Sequence, residues 1–358
     1  MSNKNLKIIA FYLPQFHPIK ENNEWWGEGF TEWTNVGKAK PLFCGHYQPK
    51  VPADLGYYDL RIPEVREKQA ELAREAGIDA FCYWHYWFGN GKQLMEKPLQ
   101  EVVACGKPDF PFCLGWANHS WMKKSWNSQV SRFSQEKLID QIYPGKEDWD
   151  LHFKTMLPMF KDNRYYRIKN KLVFLIYAPK QIPNVQEFME RWQKLAEENG
   201  LTGFYFIAQV DAKSIYDSIN RYFDAVNYDC IRNFFNQSRM RRLIAYTIKH
   251  PISRHYKVIL KKYNLNNIKN TTVYPTVYPN WDVTPRLGYI GTLFTKSSPN
   301  LFKKHVQQII DAIKNKPNED KVIFLKSWNE WAEGNYMEPD LKYGHGYINA
   351  LKSAVNDN

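Results

Sequence analysis

The sequence predicts an α/β fold built as a single (β/α)8 TIM barrel. Three observations carry that prediction. Apolar, β-branched and aromatic runs recur with helical patterns between them, as successive βα units require. Several runs are apolar on both faces, as strands covered by helices must be. Eight such runs can be counted, a number that closes a barrel better than it builds an open doubly wound sheet.

The first candidate strand is Leu6–Leu13, and a Pro-, Gly- and Trp-rich connection over residues 15–61 follows it. A helix over Pro63–Ala76 has proline in its first turn and stops before Gly77, the usual asymmetry of helix ends. The second and third strands are Ile78–Trp84 and Pro111–Trp116. A helix over Asp148–Phe160 leads to the fourth, Leu172–Tyr177. Another over Val185–Asn199 ends at Gly200 and leads to the fifth, Gly203–Gln209. The sixth, Ala225–Asp229, and the seventh, Thr272–Tyr278, flank a second long connection, Phe234–Asn270. A helix over Ser298–Lys314 precedes the eighth, Val322–Trp328. Long connections without regular structure tend to carry function. No repeat, low-complexity tract or linker divides the chain, so one domain over residues 1–358 is expected.

Composition excludes several classes. Hydrophobic residues make up 44% and charged residues 24%, as in ordinary soluble globular proteins. No stretch of 18 apolar residues offers a membrane-spanning helix. The apolar run Ile8–Leu13 is too short for a signal-peptide core, so a cytoplasmic protein is expected. The five cysteines are odd in number and form no CxxC pair, which argues against a disulfide framework or zinc ribbon. Cys82 and Cys113 lie in apolar runs and read as inert core residues. No HExxH or clustered Cys/His set occurs, and neither a metal nor a cofactor is expected. Asp148-Trp149-Asp150 has the DxD form that nucleotide-sugar transferases use to hold a metal. It falls at a helix start, where acidic residues simply complement the dipole. Gly89–Lys92 lacks the rest of a phosphate-binding loop and reads as a turn.

The unusual quantity is the aromatic content, 16% of the chain with 13 Trp, 23 Tyr and 21 Phe. Rings stack on the C–H faces of sugars, although an aromatic-rich core would give the same count. Position separates the two readings, because chemistry in a parallel barrel sits at the carboxyl ends of the strands. Gln15 and His17 follow the first run; Tyr83 and His85 lie at the end of the second. Trp116, Asn118 and His119 follow the third, Tyr177 ends the fourth and Gln209 the fifth. Tyr278 and Trp281 follow the seventh, and Trp328 and Asn329 the eighth. Rings interleaved with Asn, Gln and His at one rim suit a polyhydroxylated ligand. For His85 and His119, a hydrogen bond to a sugar hydroxyl and a purely structural bond stand side by side.

The sharpest element is Trp328-Asn329-Glu330-Trp331-Ala332-Glu333-Gly334. Glycosidic cleavage needs one group to protonate the leaving oxygen and a second to act at the anomeric side. Two carboxyl groups do both when their surroundings push their pKa values apart. Glu330 and Glu333 are three residues apart, and a tight turn would put both on one side with Trp328 and Trp331 desolvating one of them. The plainer alternative is a helix-start residue or an ion pair to lysine.

The net charge of +12 is concentrated. Cys230–Trp281 contains no Asp or Glu and ten Lys or Arg. Within it, Arg239–Lys262 is expected to form a helix-rich insert that contacts anionic membrane or a lipid-linked saccharide phosphate, at the inner membrane face. A solvated basic face is the alternative. No nucleic-acid-binding module is recognisable.

Several segments together resemble one family. They are Phe11-Tyr12-Leu13-Pro14-Gln15-Phe16-His17-Pro18, the run Trp25 to Val36 with Trp33 inside it, His46-Tyr47-Gln48-Pro49, Tyr83-Trp84-His85-Tyr86-Trp87-Phe88, Trp281-Asp282-Val283-Thr284-Pro285-Arg286 and the strand-eight motif. With these the chain resembles the WbsX-type proteins, related to the endo-α-mannosidases of glycoside hydrolase family ninety-nine, over nearly its whole length. The resemblance implies a (β/α)8 barrel, a metal-free retaining mechanism and a role in O-antigen or capsule synthesis. It also implies an α-mannoside-like substrate. It gives Glu330 the removal of the sugar 2-hydroxyl proton, so that this oxygen attacks its own anomeric carbon. It gives Glu333 the acid and then base role. One departure stands out: His119 occupies a place after strand three where the family pattern has a carboxylate. Within the enzyme class, hydrolase, transglycosidase and nucleotide-sugar transferase share these residues. A non-catalytic carbohydrate-binding protein would use the same cleft.

Overall fold

The computed structural model describes residues 6–123, 134–211, 222–236 and 239–356. Eight parallel strands form its centre: β1 Lys7–Tyr12, β2 Ala80–Trp87, β3 Phe112–Trp116, β4 Lys171–Ile176, β5 Phe204–Val210, β6 Ala225–Tyr228, β7 Val273–Val277 and β8 Val322–Leu325. Each pairs with its sequence neighbour, and β1 also pairs with β8, Lys7 opposite Val322 through Ala10 opposite Leu325. The sheet is therefore a closed barrel. All eight strands expected from the sequence are present. The helices Pro63–Ala76, Lys146–Phe160, Val185–Glu198 and Pro299–Ile313 cover its outside.

The strand alternation decides which side chains can reach the site. Phe11 stacks on Trp84 at 4.6 Å and on Phe324 at 5.2 Å, filling the barrel interior. Gly115 leaves room for this layer, since a Cβ there would lie 3.1 Å from Cys82 Sγ and from the Trp84 ring. The opposite faces meet the helices. Trp192 packs at 4.8 Å on Phe174 and 5.3 Å on Phe204, while His152 stacks on Trp87 at 4.5 Å.

The first long connection is not structureless. It contains two short helices, Lys20–Trp26 and Glu32–Lys38, the second capped by the Thr31 hydroxyl. The basic stretch is helical over most of Arg239–Lys262, as expected, with one short strand added. It holds the helices Arg239–Thr247 and Lys257–Lys262 and between them a strand, Ile252–His255, paired in parallel with Thr292–Thr295. That strand is β-branched at its start and borrows a partner from beyond β7, which local sequence could not announce. Among the described residues, no helix is long and apolar enough to cross a membrane.

Candidate active site

Strand β8 ends at Leu325 and the chain turns at once. Asn329 and Glu330 pair antiparallel with Asn335 and Tyr336, and Trp331–Glu333 form one 3-10 turn between them. Gly334 closes this hairpin with φ +64°, a left-handed value that favours glycine. A Cβ there would fall 2.9 Å from the Asp282 backbone nitrogen and closer still to Lys50 Nζ. That nitrogen donates to the Glu333 carbonyl at 2.7 Å, so two loops cross in contact at this point.

Asp282 organises the crossing. It accepts from Gln48 Nε2 at 2.7 Å and from the Thr284 hydroxyl at 2.6 Å, and it sits 3.0 Å from His46 Nε2 and 3.6 Å from Lys50 Nζ. Burial alone would raise its carboxyl, but Lys50 and His46 outweigh burial and hold it at about 2. The histidine segment of the first loop is thus fixed against the hairpin that follows β8.

Four residues beyond Asp282, Arg286 meets three carboxylates. Its Nε and Nη2 donate to Glu32 at 3.1 and 2.9 Å, and its Nη1 donates to Glu333 at 2.5 Å and lies 3.6 Å from Glu330. Glu32 and Glu330 are buried; Glu333 keeps 20% of its side chain exposed toward the cleft. Burial, then the Glu333 charge, push the Glu330 carboxyl up to about 8 against the pull of Arg286. Burial also raises Glu32, opposed by Arg286. The Ser327 hydroxyl donates to Glu330 at 3.2 Å. This arrangement keeps a proton-holding carboxyl and a charge-paired carboxylate on one short turn, as acid–base chemistry requires.

An open cleft of about 660 Å³ lies in front of Glu333. Its walls include Tyr177, Gln209, Trp281, Arg232 and Lys326. Gln209 donates to Asp229 at 2.9 Å, and Lys326 pairs with the same Asp229 at 2.7 Å while lying 5.5 Å over the Trp281 ring. His119 borders this group, its ring 5.0 Å from that of Tyr177. Burial, then Arg232, lower His119 to about 4, so it packs beside Tyr177 as a neutral ring.

The other expected site residues lie elsewhere. Tyr83, His85 and Trp116 are on the outer faces of their strands, beneath helices. His85 Nε2 is 2.7 Å from His152 Nε2, and Trp116 Nε1 donates to the Trp87 carbonyl at 2.9 Å. Tyr83 packs on Tyr12 and Phe112. Asn118 and Asn329 are backbone clasps: Asn118 exchanges bonds of 2.7 and 2.8 Å with Ala178, and Asn329 bonds of 2.8 and 3.0 Å with Leu13. The Tyr278 hydroxyl donates to Asp229 at 2.8 Å, one layer behind the cleft wall. Gln15 and His17 are buried, and burial lowers His17 to about 4. Trp33 donates from Nε1 to the Tyr58 carbonyl at 2.7 Å and packs on Phe16 and Trp331.

The rings of Trp328 and Trp331 make their contacts elsewhere. Trp328 packs on Phe81, and Trp331 donates at 2.6 Å to Glu338, a different buried carboxyl. Sequence reasoning quoted Glu32 and Arg286 only as parts of motifs and gave them no role. It also passed over Tyr86, which alternation turns inward; burial, then Glu330, raise its phenol. The signal was available, since a lone Glu and a lone Arg inside otherwise aromatic motifs need partners once buried.

Comparison with known proteins fits this geometry. A model of the glycosyltransferase WbsX family matches residues 8–351. The chain belongs to the WbsX family. The protein WxcX of Xanthomonas campestris pv. campestris, strain B100, is 35% identical to this WbsX chain over 353 residues, 97% of it. The alignment spans only 49% of WxcX, so the chain covers about half the length of that relative. A glycoside hydrolase-like protein has a similar solved structure, TM-score 0.60 at 15% identity, over 99% of this chain and 95% of that one. A family 99 endo-α-mannosidase from Bacteroides thetaiotaomicron gives 0.58 at 15% identity, over 98% and 96%. These likenesses establish the barrel. Among the described residues, no group of three or more His, Cys, Asp or Glu could hold a metal ion.

Proposed function

We propose that this WbsX-family chain is a carbohydrate-active enzyme that cleaves or transfers a glycosyl unit, with Glu330 and Glu333 as its catalytic carboxylates. The observation that carries the reading is the shared guanidinium. Arg286 lies 2.5 Å from Glu333 and 3.6 Å from Glu330, and Glu333 lines an open cleft. Burial and then the Glu333 charge raise the Glu330 carboxyl to about 8, and a raised proton affinity suits a base that must take a proton from a sugar hydroxyl. Glu333 faces the cleft, where a leaving oxygen would receive its proton.

In the resulting scheme the pair enters with one proton, which rests on Glu330; as the sugar binds, that proton moves to Glu333 and frees Glu330 to act as the base. Glu330 removes the 2-hydroxyl proton as that oxygen closes on the anomeric carbon. Glu333 protonates the departing oxygen, then deprotonates the water or acceptor hydroxyl that opens the intermediate. Arg286 holds both carboxylates in place, and Trp281, Tyr177, Gln209 and His119 form the sugar-binding walls. An oligosaccharide or lipid-linked saccharide with an α-mannoside-like linkage is the proposed substrate. The proposed setting is O-antigen or capsule synthesis in the cytoplasm, with residues 1–358 acting as one domain.

Glu333→Gln tests this reading against a purely binding role. Turnover of a glycan panel containing α-mannosides should fall roughly 10²–10⁴-fold, while calorimetric affinity is kept. Unchanged turnover would remove Glu333 from the chemistry. Affinity with no product from the parent protein would favour a binding module. Tight binding of a nucleoside diphosphate would favour a nucleotide-sugar transferase.

A further inference from the structure

Of the large apolar side chains exposed among the described residues, an unusual share sits on one short segment. Met240 is 71% exposed, Leu243 55%, Ile244 52% and Ile248 65%. The first three fall at spacing i, i+3, i+4 on the helix Arg239–Thr247, and Ile248 follows one turn later. A monomeric soluble surface rarely leaves such a cluster uncovered. The chain around it is also the region without an acidic residue. Lys249, Lys257, Lys261 and Lys262 are exposed there, and no ion-pair partner for them is found among the described residues.

The cluster is tied to the cleft. Tyr246, on the same helix, rests at 5.7 Å on Tyr289, and Ala245 and Tyr246 line a cavity of about 360 Å³ that shares Trp281 and Arg232 with the catalytic cleft. One helix therefore offers apolar side chains to the outside and walls the approach to the carboxylates.

We infer that this helix docks on an anionic phospholipid bilayer. Its apolar side chains enter the boundary between headgroups and acyl chains, and the surrounding lysines meet the negative headgroups. The charge selects the occupant. A second copy would set this basic region against itself, whereas an acidic lipid surface complements it. An apolar stripe flanked by cations is the pattern of interfacial helices. Docked in this way, the protein holds the mouth of its cleft beside the membrane surface.

Vesicle co-sedimentation of the full chain, without any sugar, tests the docking independently of catalysis. At low salt the protein should pellet with vesicles containing phosphatidylglycerol. It should bind vesicles of phosphatidylcholine alone at least ~tenfold more weakly, and high salt should reduce binding to the phosphatidylglycerol vesicles. Leu243→Asp with Ile244→Asp should lower partitioning at least ~tenfold. Both side chains are already half in solvent, and an unchanged circular dichroism spectrum and melting temperature check that the variant folds. Lys257→Glu with Lys261→Glu, at exposed positions, should remove the preference for phosphatidylglycerol. The inference is overturned by failure of the parent to pellet at low salt, or by equal pelleting of the double aspartate variant. A dimer in solution that the aspartates dissociate would also overturn it, because the face would then be a protein interface.

Discussion

Arg286 reaches Glu333 with Nη1 at 2.5 Å while its Nε and Nη2 are committed to Glu32 at 3.1 and 2.9 Å. One guanidinium thus uses its whole planar fork to join a helix of the first loop to the hairpin after β8. The geometry depends on the fork, not only on the charge.

Arg286→Lys should therefore keep the cation and lose the arrangement. A lysine can reach Glu32 or Glu333 but cannot hold both. We expect kcat/KM to fall at least ~100-fold with a modest drop in melting temperature. Arg286→Met, which leaves buried Glu32 unpaired, should cost about 3–5 kcal/mol of stability in chemical denaturation. Near-parental activity in the lysine variant would show that the fork is dispensable.

The pH profile follows from the proton shared by the pair. Glu330 is raised to about 8 by burial and then by the Glu333 charge. Below that pH the pair keeps a proton; above it the proton is lost and no acid remains for the leaving group. Accordingly kcat/KM should decline about tenfold per pH unit on an alkaline limb beginning near pH 8. A profile still flat at roughly pH 10 would contradict the assignment.

Glu338 makes a separate prediction about stability. It is buried away from the cleft and accepts from Trp331 at 2.6 Å, Gln69 at 2.6 Å and Tyr58 at 2.9 Å. Burial nevertheless raises it to about 7. A carboxyl raised in the folded state binds its proton more tightly there than in the unfolded chain. Its contribution is present below the unfolded value and is lost as pH rises through about 7. Glu338→Gln should flatten the decline in melting temperature across that interval. An unaltered slope would mean that other groups set it.

Gly334→Ala should destabilise by ~2 kcal/mol or more, the cost of a left-handed alanine plus the collision with Asp282 and Lys50. Gly334→Asn tolerates the dihedral better but meets the same atoms. If asparagine restores parental stability, the crowding at this crossing is unimportant.

The barrel was legible because its strands are buried on both faces and so carry dense local signals. Ala80–Trp87 is apolar or aromatic at every position but His85. The same density hid the direction of each side chain. In a run such as Tyr83-Trp84-His85-Tyr86, aromatics and polar groups occupy both faces, and only the register against Phe11 puts Trp84 inside and His85 under a helix. Glu330 and Glu333 were visible from spacing three apart. Arg286 and Glu32 were not, since their pairing joins positions 254 residues apart. Nor was Asn118 readable as a clasp, because an amide that ties a backbone looks the same in sequence as one that awaits a sugar.

Glu32 and His46 are stapled to the same short stretch, to Arg286 and Asp282 respectively. Residues 37–45, largely exposed, arch between these two fixed points. Leu42 N donates to His46 Nδ1 at 3.1 Å and Phe43 stacks on that ring at 4.7 Å, so the far end of the arch itself braces the second staple. Changes at Leu42 or Phe43 should therefore be felt through His46 at the Asp282 crossing, whereas the exposed Lys40 and Pro41 can be recomposed without loosening it.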